Sequence, residues 1–227
     1  LGHAQLDNDL GGSWRPATPT PGDRNSIHSE VPPPQVRQVR HNPEQPTSGQ
    51  QVTIKSKVTD IEEVTEVSLD YQLVSPGGYI AIDDPRYSTS WTTLPMWDNG
   101  KFGDVDAGDS TYTIVLPASV SSHRSLVRYR ISAKNSKGAV ITTPMADDPQ
   151  PNFAFFCYDG IPSWQGSARP NHKPPVTYSK ELLESLPVYH LITTREAHVD
   201  SRTFQTPIQA SMVAQNTNGK ARWSMME

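Results

Sequence analysis

The sequence predicts an all-β fold, an antiparallel sandwich of about seven strands with extended, proline-rich flanking segments. Three observations support this fold class. Short segments in which apolar and polar residues alternate recur between residues 35 and 159, and turn-forming residues separate them. This region has no convincing helical periodicity. Many of the 21 prolines cluster in the segments on either side, where dense proline favours extended backbone.

The composition excludes several classes of function. The 227-residue chain has a net charge of −4, so it has no basic field that would attract nucleic acid or anionic lipid. No apolar run approaches the roughly 18 residues that a membrane span needs. The single cysteine, Cys157, allows no internal disulfide. We therefore expect no nucleic-acid partner and no membrane span, and residues 1–12 do not form a signal peptide.

The first strands of the predicted sandwich follow one another from Gln35. The first strand surrounds Val39 and ends at Pro43. The next two strands each have one apolar face, formed by Val52, Ile54 and Val58 in one and by Val67, Leu69, Tyr71 and Leu73 in the other. Such alternation is typical of antiparallel strands that are solvated on one side.

The remaining strands complete the predicted module, which runs from about Pro34 to Asp159. Residues 79–97 are less regular, and alternation resumes over 111–116 and 126–134. Residues 135–138, Asn-Ser-Lys-Gly, predict a hairpin turn in which the glycine supplies a positive φ. The last strand includes Phe153, Phe155 and Cys157 on one side.

The flanking segments divide the rest of the chain. We interpret residues 1–33 as the end of a preceding domain plus a linker, and residues 160–185 as a second linker. Ser179 is the predicted N-cap of a short helix, and residues 188–193 predict a buried strand. Residues from about 195 to 227 are polar and irregular, so we interpret 186–227 as the start of a truncated domain.

The strongest candidate site lies in the loop that begins at Trp97. It contains four aspartates, Asp98, Asp104, Asp106 and Asp109, among three glycines. Alternating carboxylates on a flexible loop can supply the oxygen ligands of calcium, although the spacing is not that of an EF-hand loop. The alternative, which we favour, is turn chemistry, in which aspartates accept hydrogen bonds from nearby backbone and glycines adopt left-handed conformations.

The other polar candidates predict no catalytic site. Four aspartates beside prolines are interpreted as solvated loop ends: Asp83, Asp84, Asp147 and Asp148. The seven histidines have no zinc-ligand spacing and are interpreted as ordinary polar residues. No G-x-S-x-G turn or phosphate-binding glycine loop occurs. Cys157 lies on an alternating strand, which favours a small core residue over a nucleophile.

Two tryptophans are candidate ligand-binding residues. Trp91 and Trp97 lie close in sequence to loops, where exposed aromatic rings can stack on sugar rings or dock another domain. The alternative is that both pack in or over the core, which we favour because tryptophan is on average largely buried.

Several segments, taken in order, resemble a known module. The matching pieces are HNPEQPTSGQQVTIKSKVTD, VSLDYQLV, DNGKFGDVDAGDSTYTIVLP, HRSLVRYRISAKNSKG and DDPQPNFAFFCYDG. They resemble the immunoglobulin-like or fibronectin type III-like module of large secreted bacterial proteins. LPVYHLITTREAHVDSR resembles the opening strand of a spore-coat-protein-H (CotH)-type kinase-like domain, and LDNDLGGSWRPATPTPGDRNS resembles the closing segment of a lamin-tail-type domain.

This resemblance implies a secreted or cell-surface module that is not catalytic and that spaces or docks neighbouring domains of the same polypeptide. One alternative is a carbohydrate- or surface-binding module with a calcium site in residues 98–109. Another is the N-terminal part of a CotH-type kinase-like protein. No catalytic residue is carried over from that family, because its nucleotide-binding residues would lie later in the domain.

Overall fold

The architecture comes from a computed structural model, which describes residues 6, 9, 13–14, 16–204, 207–215 and 221–226. For residues 204 and 221–226 only the backbone is described. Most of the predicted N-terminal segment before Pro16 therefore lies outside the described residues.

Two antiparallel sheets form the sandwich, so the predicted all-β fold class is confirmed. The smaller sheet has the order β1-β2-β5, formed by Gln35–Asn42, Val52–Thr59 and Thr111–Leu116. The larger sheet has the order β4-β3-β6-β7, formed by Thr92–Pro95, Val64–Val74, Leu126–Asn135 and Val140–Thr143. Strand β8, Phe153–Phe156, pairs with the beginning of β6, whereas β7 pairs with its end.

The core lies between the two sheets and is built by the predicted alternation. Side chains of β2 and β6 that are almost fully buried include Val52, Ile54, Val58, Val127, Tyr129 and Ile131. Fully burying one such aliphatic side chain contributes about 1.5–3 kcal/mol. The turn after β6 also forms as predicted, with Gly138 at a φ of 85° and the Asn135 carboxamide accepting bonds from two turn N–H groups.

The third strand departs from its predicted pattern at one end. Leu73 is 40% exposed, whereas Gln72 and Val74 are buried. The reason is that other parts of the chain cover the outer face of the larger sheet here, so the buried face changes along the strand. Gln72 accepts a hydrogen bond from Arg128, and Val74 belongs to a second apolar cluster.

An irregular arm, residues 79–91, covers that outer face and contains a helix, α1 (Pro85–Thr89), that the sequence did not predict. Asp84 caps this helix by accepting a bond from the Arg86 N–H, so interpreting Asp84 as a solvated loop end was wrong. The residues of the arm stack with two arginines of β6. We call this stack the arginine ladder: Tyr79, Arg128, Tyr87, Arg130 and Trp91.

The chain beyond the sandwich forms two smaller sheets and two helices. The interpreted linker contains a hairpin of β9 (Trp164–Gly166) and β10 (Val176–Tyr178), followed by helix α2 (Lys180–Glu184) with the predicted cap at Ser179. The C-terminal sheet has the order β11-β12-β13, formed by Val188–Ile192, Ala210–Gln215 and Ala221–Met226. Helix α3, Arg195–Phe204, connects the first two strands.

The sequence interpretation of residues 195–227 as irregular was therefore wrong, because this region supplies a helix and two strands. Strand β11 is present as predicted but is not buried on both faces, since Tyr189 is 67% exposed. The C-terminal sheet packs against one end of the sandwich through a second apolar cluster, Val74, Tyr79, Leu126, Phe156, Tyr158 and Val213. Among the described residues, no helix is both long and apolar enough to cross a membrane.

Candidate functional site

The aspartate loop connects β4 to β5 and is fixed at its base by backbone pairing. Trp97 and Thr113 exchange two backbone hydrogen bonds of 2.9 and 2.8 Å. The neighbouring Met96 is buried, and its N–H donates to the carbonyl of Val67. Both ends of the loop are therefore held by the sandwich.

Asp98 holds the two sides of the loop together. Its Oδ1 accepts hydrogen bonds from the backbone N–H groups of Gly108 and Asp109, at 2.7 and 3.2 Å. Its Oδ2 accepts a third from Ser110 at 2.9 Å. Gly108 and Ser110 have φ values of 77° and 66°, which direct their N–H groups towards one carboxylate.

Two further aspartates bind backbone in the same way. Asp104, about 9% exposed, accepts from the N–H groups of Gly100 and Val105 at 2.8 and 3.0 Å. Asp109 accepts from Thr111 at 2.7 Å. The turn chemistry predicted from the sequence is therefore confirmed for Asp98, Asp104 and Asp109.

The same three carboxylates converge. One oxygen from each of Asp98, Asp104 and Asp109 lies within 4.8 Å of the others, and Asp106 is not part of this group. Burial and, to a smaller extent, the negative charge of Asp98 raise the pKa of Tyr112 on β5. The cluster has oxygen ligands of the type that calcium prefers, and calcium binding by it stays a prediction.

Glycine is required at one position of this loop. Gly103 has a φ of 94°, and a Cβ at this residue would collide with Cγ2 of Val115 on β5. The loop therefore closes against the strand that follows it.

The two candidate tryptophans differ in their environments. Trp91 is part of the arginine ladder: the guanidinium carbon of Arg130 lies 4.2 Å from its ring centre, and its indole N–H donates to the Tyr87 carbonyl. One face of Trp91 is therefore already covered. Trp97 is 39% exposed and lies beside Phe102, which is 63% exposed, with ring centres 5.7 Å apart.

Three histidines are not the ordinary polar residues that the sequence suggested, because each contacts aromatic rings. His41 lies 5.4 Å from Phe155 and 5.8 Å from Tyr129 between ring centres. His123 stacks on Tyr158, and His190 contacts both Tyr158 and Phe156. Strand alternation places His41 towards the core, but no sequence signal brings His123 and His190 together.

Cys157 is fully buried, as predicted for a small core residue. Burial, with a smaller contribution from the charge of Asp159, raises the pKa of its thiol to about 11. A thiol of that pKa is almost entirely protonated at neutral pH, which disfavours nucleophilic chemistry.

Two cavities, which the sequence did not predict, lie outside the aspartate loop. The first, of about 560 Å³, has a wall formed by residues of β1 and β8, among them His41 and Phe155. The second, of about 450 Å³, lies between the 79–84 segment and the start of α3 and includes Asp83 and Asp200. The lining of the first cavity also includes Tyr129, whose hydroxyl lies 2.9 Å from Nδ1 of His41, and that of the second includes Thr193 and Thr194.

Comparison with known proteins adds no relative, since neither a protein-family model nor a curated protein sequence matches this chain.

Proposed function

We propose that this chain is a non-catalytic extracellular β-sandwich module that spaces or docks neighbouring domains of a large secreted bacterial protein. One observation carries the proposal: the sandwich already holds a second sheet against one of its ends. Val213 of β12 is fully buried in the second apolar cluster with Val74 and Leu126 of the sandwich. A rigid sandwich with an apolar end is suited to fixing the position of the next domain along the chain.

The polar residues of the sandwich support the same role. The candidate aspartates bind backbone N–H groups of their own loop, and the two arginines of β6 bind the 79–91 arm. These groups therefore stabilise the fold. The secreted location and the CotH- and lamin-tail-type neighbours are proposed from the sequence resemblance, and we assign no kinase activity to residues of this chain.

Substitution at the contact between β12 and the end of the sandwich tests the proposal. Val213→Asp places a charge in the second apolar cluster, whereas Tyr189→Asp places the same charge on the exposed face of the same sheet. We expect faster amide hydrogen exchange in β11 and β12 only for Val213→Asp, with β2 and β5 unchanged in both variants. Unchanged exchange in Val213→Asp would show that this contact does not position the C-terminal sheet.

A second candidate function is binding of carbohydrate or another surface polymer. The exposed pair of Trp97 and Phe102 favours it, since exposed aromatic rings stack on sugars. Binding to a glycan array that disappears in Trp97→Ala and persists in Trp91→Ala would support this function. The array is run with and without millimolar calcium, which also tests the predicted contribution of Asp98, Asp104 and Asp109. Absence of binding under both conditions would remove the candidate.

A further inference from the structure

The contact between the sandwich and the C-terminal sheet contains two histidines, which we group with their ring partners as the histidine junction: His123, Phe156, Tyr158 and His190. His190, on β11, contacts two rings of the sandwich that stack on each other, with its centre 4.8 Å from that of Phe156 and 4.5 Å from that of Tyr158. Tyr158 also stacks on His123, with ring centres 5.3 Å apart. The ring of His190 thus fills part of the interface.

The surroundings of His190 suit a neutral imidazole. Its Nε2 is buried and makes no hydrogen bond among the described residues, and the same is true of Oε1 of Gln215 on β12. Burial, together with the charges of Arg124 and His123, holds the pKa of His190 below its usual range, and the Gln215 side chain opposes this weakly. The attraction of the aromatic faces for a cation offsets only part of the cost of burying an unpaired charge.

The carboxylates around the junction have other partners. Asp159, which follows Tyr158, accepts hydrogen bonds from the N–H and hydroxyl of Ser48 at 2.6 Å each, and its Oδ2 lies 3.7 Å from Nδ1 of His123. Glu184 of α2 pairs with Lys180 at 3.5 Å. Arg124 is the permanent charge that acts on His190, and it opposes an added proton there.

We propose that protonation of His190 releases the C-terminal sheet, β11-β12-β13, from the end of the sandwich, so that the histidine junction acts as an acid-sensitive latch. The released imidazole titrates near the usual value of about 6.5, above the docked one. Docking is then complete above that pH and weakens as pH falls through it, by up to about tenfold per unit until the docked pKa is reached. The latch concerns a contact within the chain and does not depend on the proposed spacer role.

Amide hydrogen exchange of the full chain, measured by mass spectrometry at pH 7.5 and 5.5 and corrected for intrinsic exchange rates, tests the latch. We expect residues 188–192 and 210–215 to exchange several-fold to about tenfold faster at the lower pH, while β2 and β5 stay protected. His190→Phe keeps a ring without a titrating group and is expected to remove the response. His190→Gln is the second variant, and His172→Gln, an exposed histidine elsewhere, is the control that keeps the response.

Three results would overturn the latch. They are no acid response in wild type, an acid response in both His190 variants equal to that of wild type, or exchange of the C-terminal sheet no faster than that of β2 and β5 at pH 5.5. Titration of the His190 ring by NMR in the unsubstituted protein is independent of any folding defect in the variants. A pKa at or above the usual value would also contradict the latch.

Discussion

At the scale of single residues, the clearest assignment is Asp98, whose carboxylate accepts three backbone N–H bonds from the opposite side of its loop. We expect Asp98→Ala to lower the free energy of unfolding by about 2–3 kcal/mol, because it leaves three donors without their charged acceptor. Urea denaturation measures this change. Asp106→Ala is the matched control, since Asp106 is exposed and lies outside the carboxylate cluster. Equal stability of the two variants would contradict the assignment.

His41 predicts a pH dependence that belongs to the sandwich itself. Its Nε2 faces the Glu44 carbonyl at 3.1 Å, so Nε2 carries the proton and Nδ1 accepts from the Tyr129 hydroxyl at 2.9 Å. Burial holds the pKa of His41 below its usual range, and burial also raises the pKa of Tyr129, which stays protonated. A proton on Nδ1 would require the Tyr129 hydroxyl to stop donating to this nitrogen and to accept from it instead.

The direction in which the free energy of unfolding changes with pH follows from the lowered pKa of His41. A histidine that is harder to protonate in the folded state stabilises the fold above its unfolded pKa, about 6.5, and this stability is lost as pH falls below it. We expect the free energy of unfolding to decline by up to about 1.4 kcal/mol per pH unit. Urea melts between pH 8 and 5 should show a shallower slope for His41→Gln and an unchanged slope for His172→Gln. An unchanged slope in both would show that His41 is not the titrating group.

How much of the site the sequence predicts depends on how far apart in the chain the contacting residues are. The Asp98 and Asp109 bonds join residues of one loop, so aspartates among glycines were enough to predict their turn chemistry. The surroundings of His123 and His190 come from contacts between residues more than thirty positions apart in the chain. Local patterns carry no information on such contacts, which explains why the histidines were misinterpreted.

At the scale of elements, the arginine ladder holds the 79–91 arm against β6. Nη1 of Arg128 donates to Gln72 and to the carbonyl of Ile80, at 2.9 and 2.8 Å, while Nε and Nη2 have no partner among the described residues. The guanidinium lies 5.3 and 5.5 Å from the ring centres of Tyr79 and Tyr87. Arg128 therefore attaches the arm in two ways, by stacking against the two tyrosine rings and by its hydrogen bond to Ile80.

Two substitutions at Arg128 separate packing from hydrogen bonding. We expect Arg128→Ala to lower the free energy of unfolding by about 3–5 kcal/mol, because it leaves a cavity and two unpaired acceptors. Arg128→Met keeps most of the volume and removes the cost of burying a charge, so its loss should be clearly smaller. Urea denaturation gives both values. Equal losses would show that the hydrogen bonds of the guanidinium, and not its stacking, attach the arm.

The elements that the sequence predicted and those that it missed differ in what stabilises them. Strands β2 and β6 follow a two-residue alternation, and the side chains on one face of each strand form part of the core between the sheets. Helix α1 spans five residues and buries only Tyr87, so periodicity does not reveal it, although Asp84-Pro85 is a local start signal. Strand β12 includes the polar residues Ser211 and Gln215 and is defined by pairing with β11, from which helix α3 separates it in the chain, and with β13, which follows it closely.

At the scale of the whole molecule, limited proteolysis tests whether the C-terminal sheet stays docked. The sequence alone predicts cuts in 1–34 and in 160–227, whereas the structure separates an exposed segment, residues 168–177, from strands whose inward side chains pack on the sandwich. Subtilisin at neutral pH is therefore expected to cut first within 168–177 and within the exposed stretch 21–26, leaving residues 188–192 and 210–215 intact for longer. Mass spectrometry of the early fragments identifies the sites. Early cleavage within β11 or β12, at the rate seen for 168–177, would mean that this sheet spends much of its time away from the sandwich.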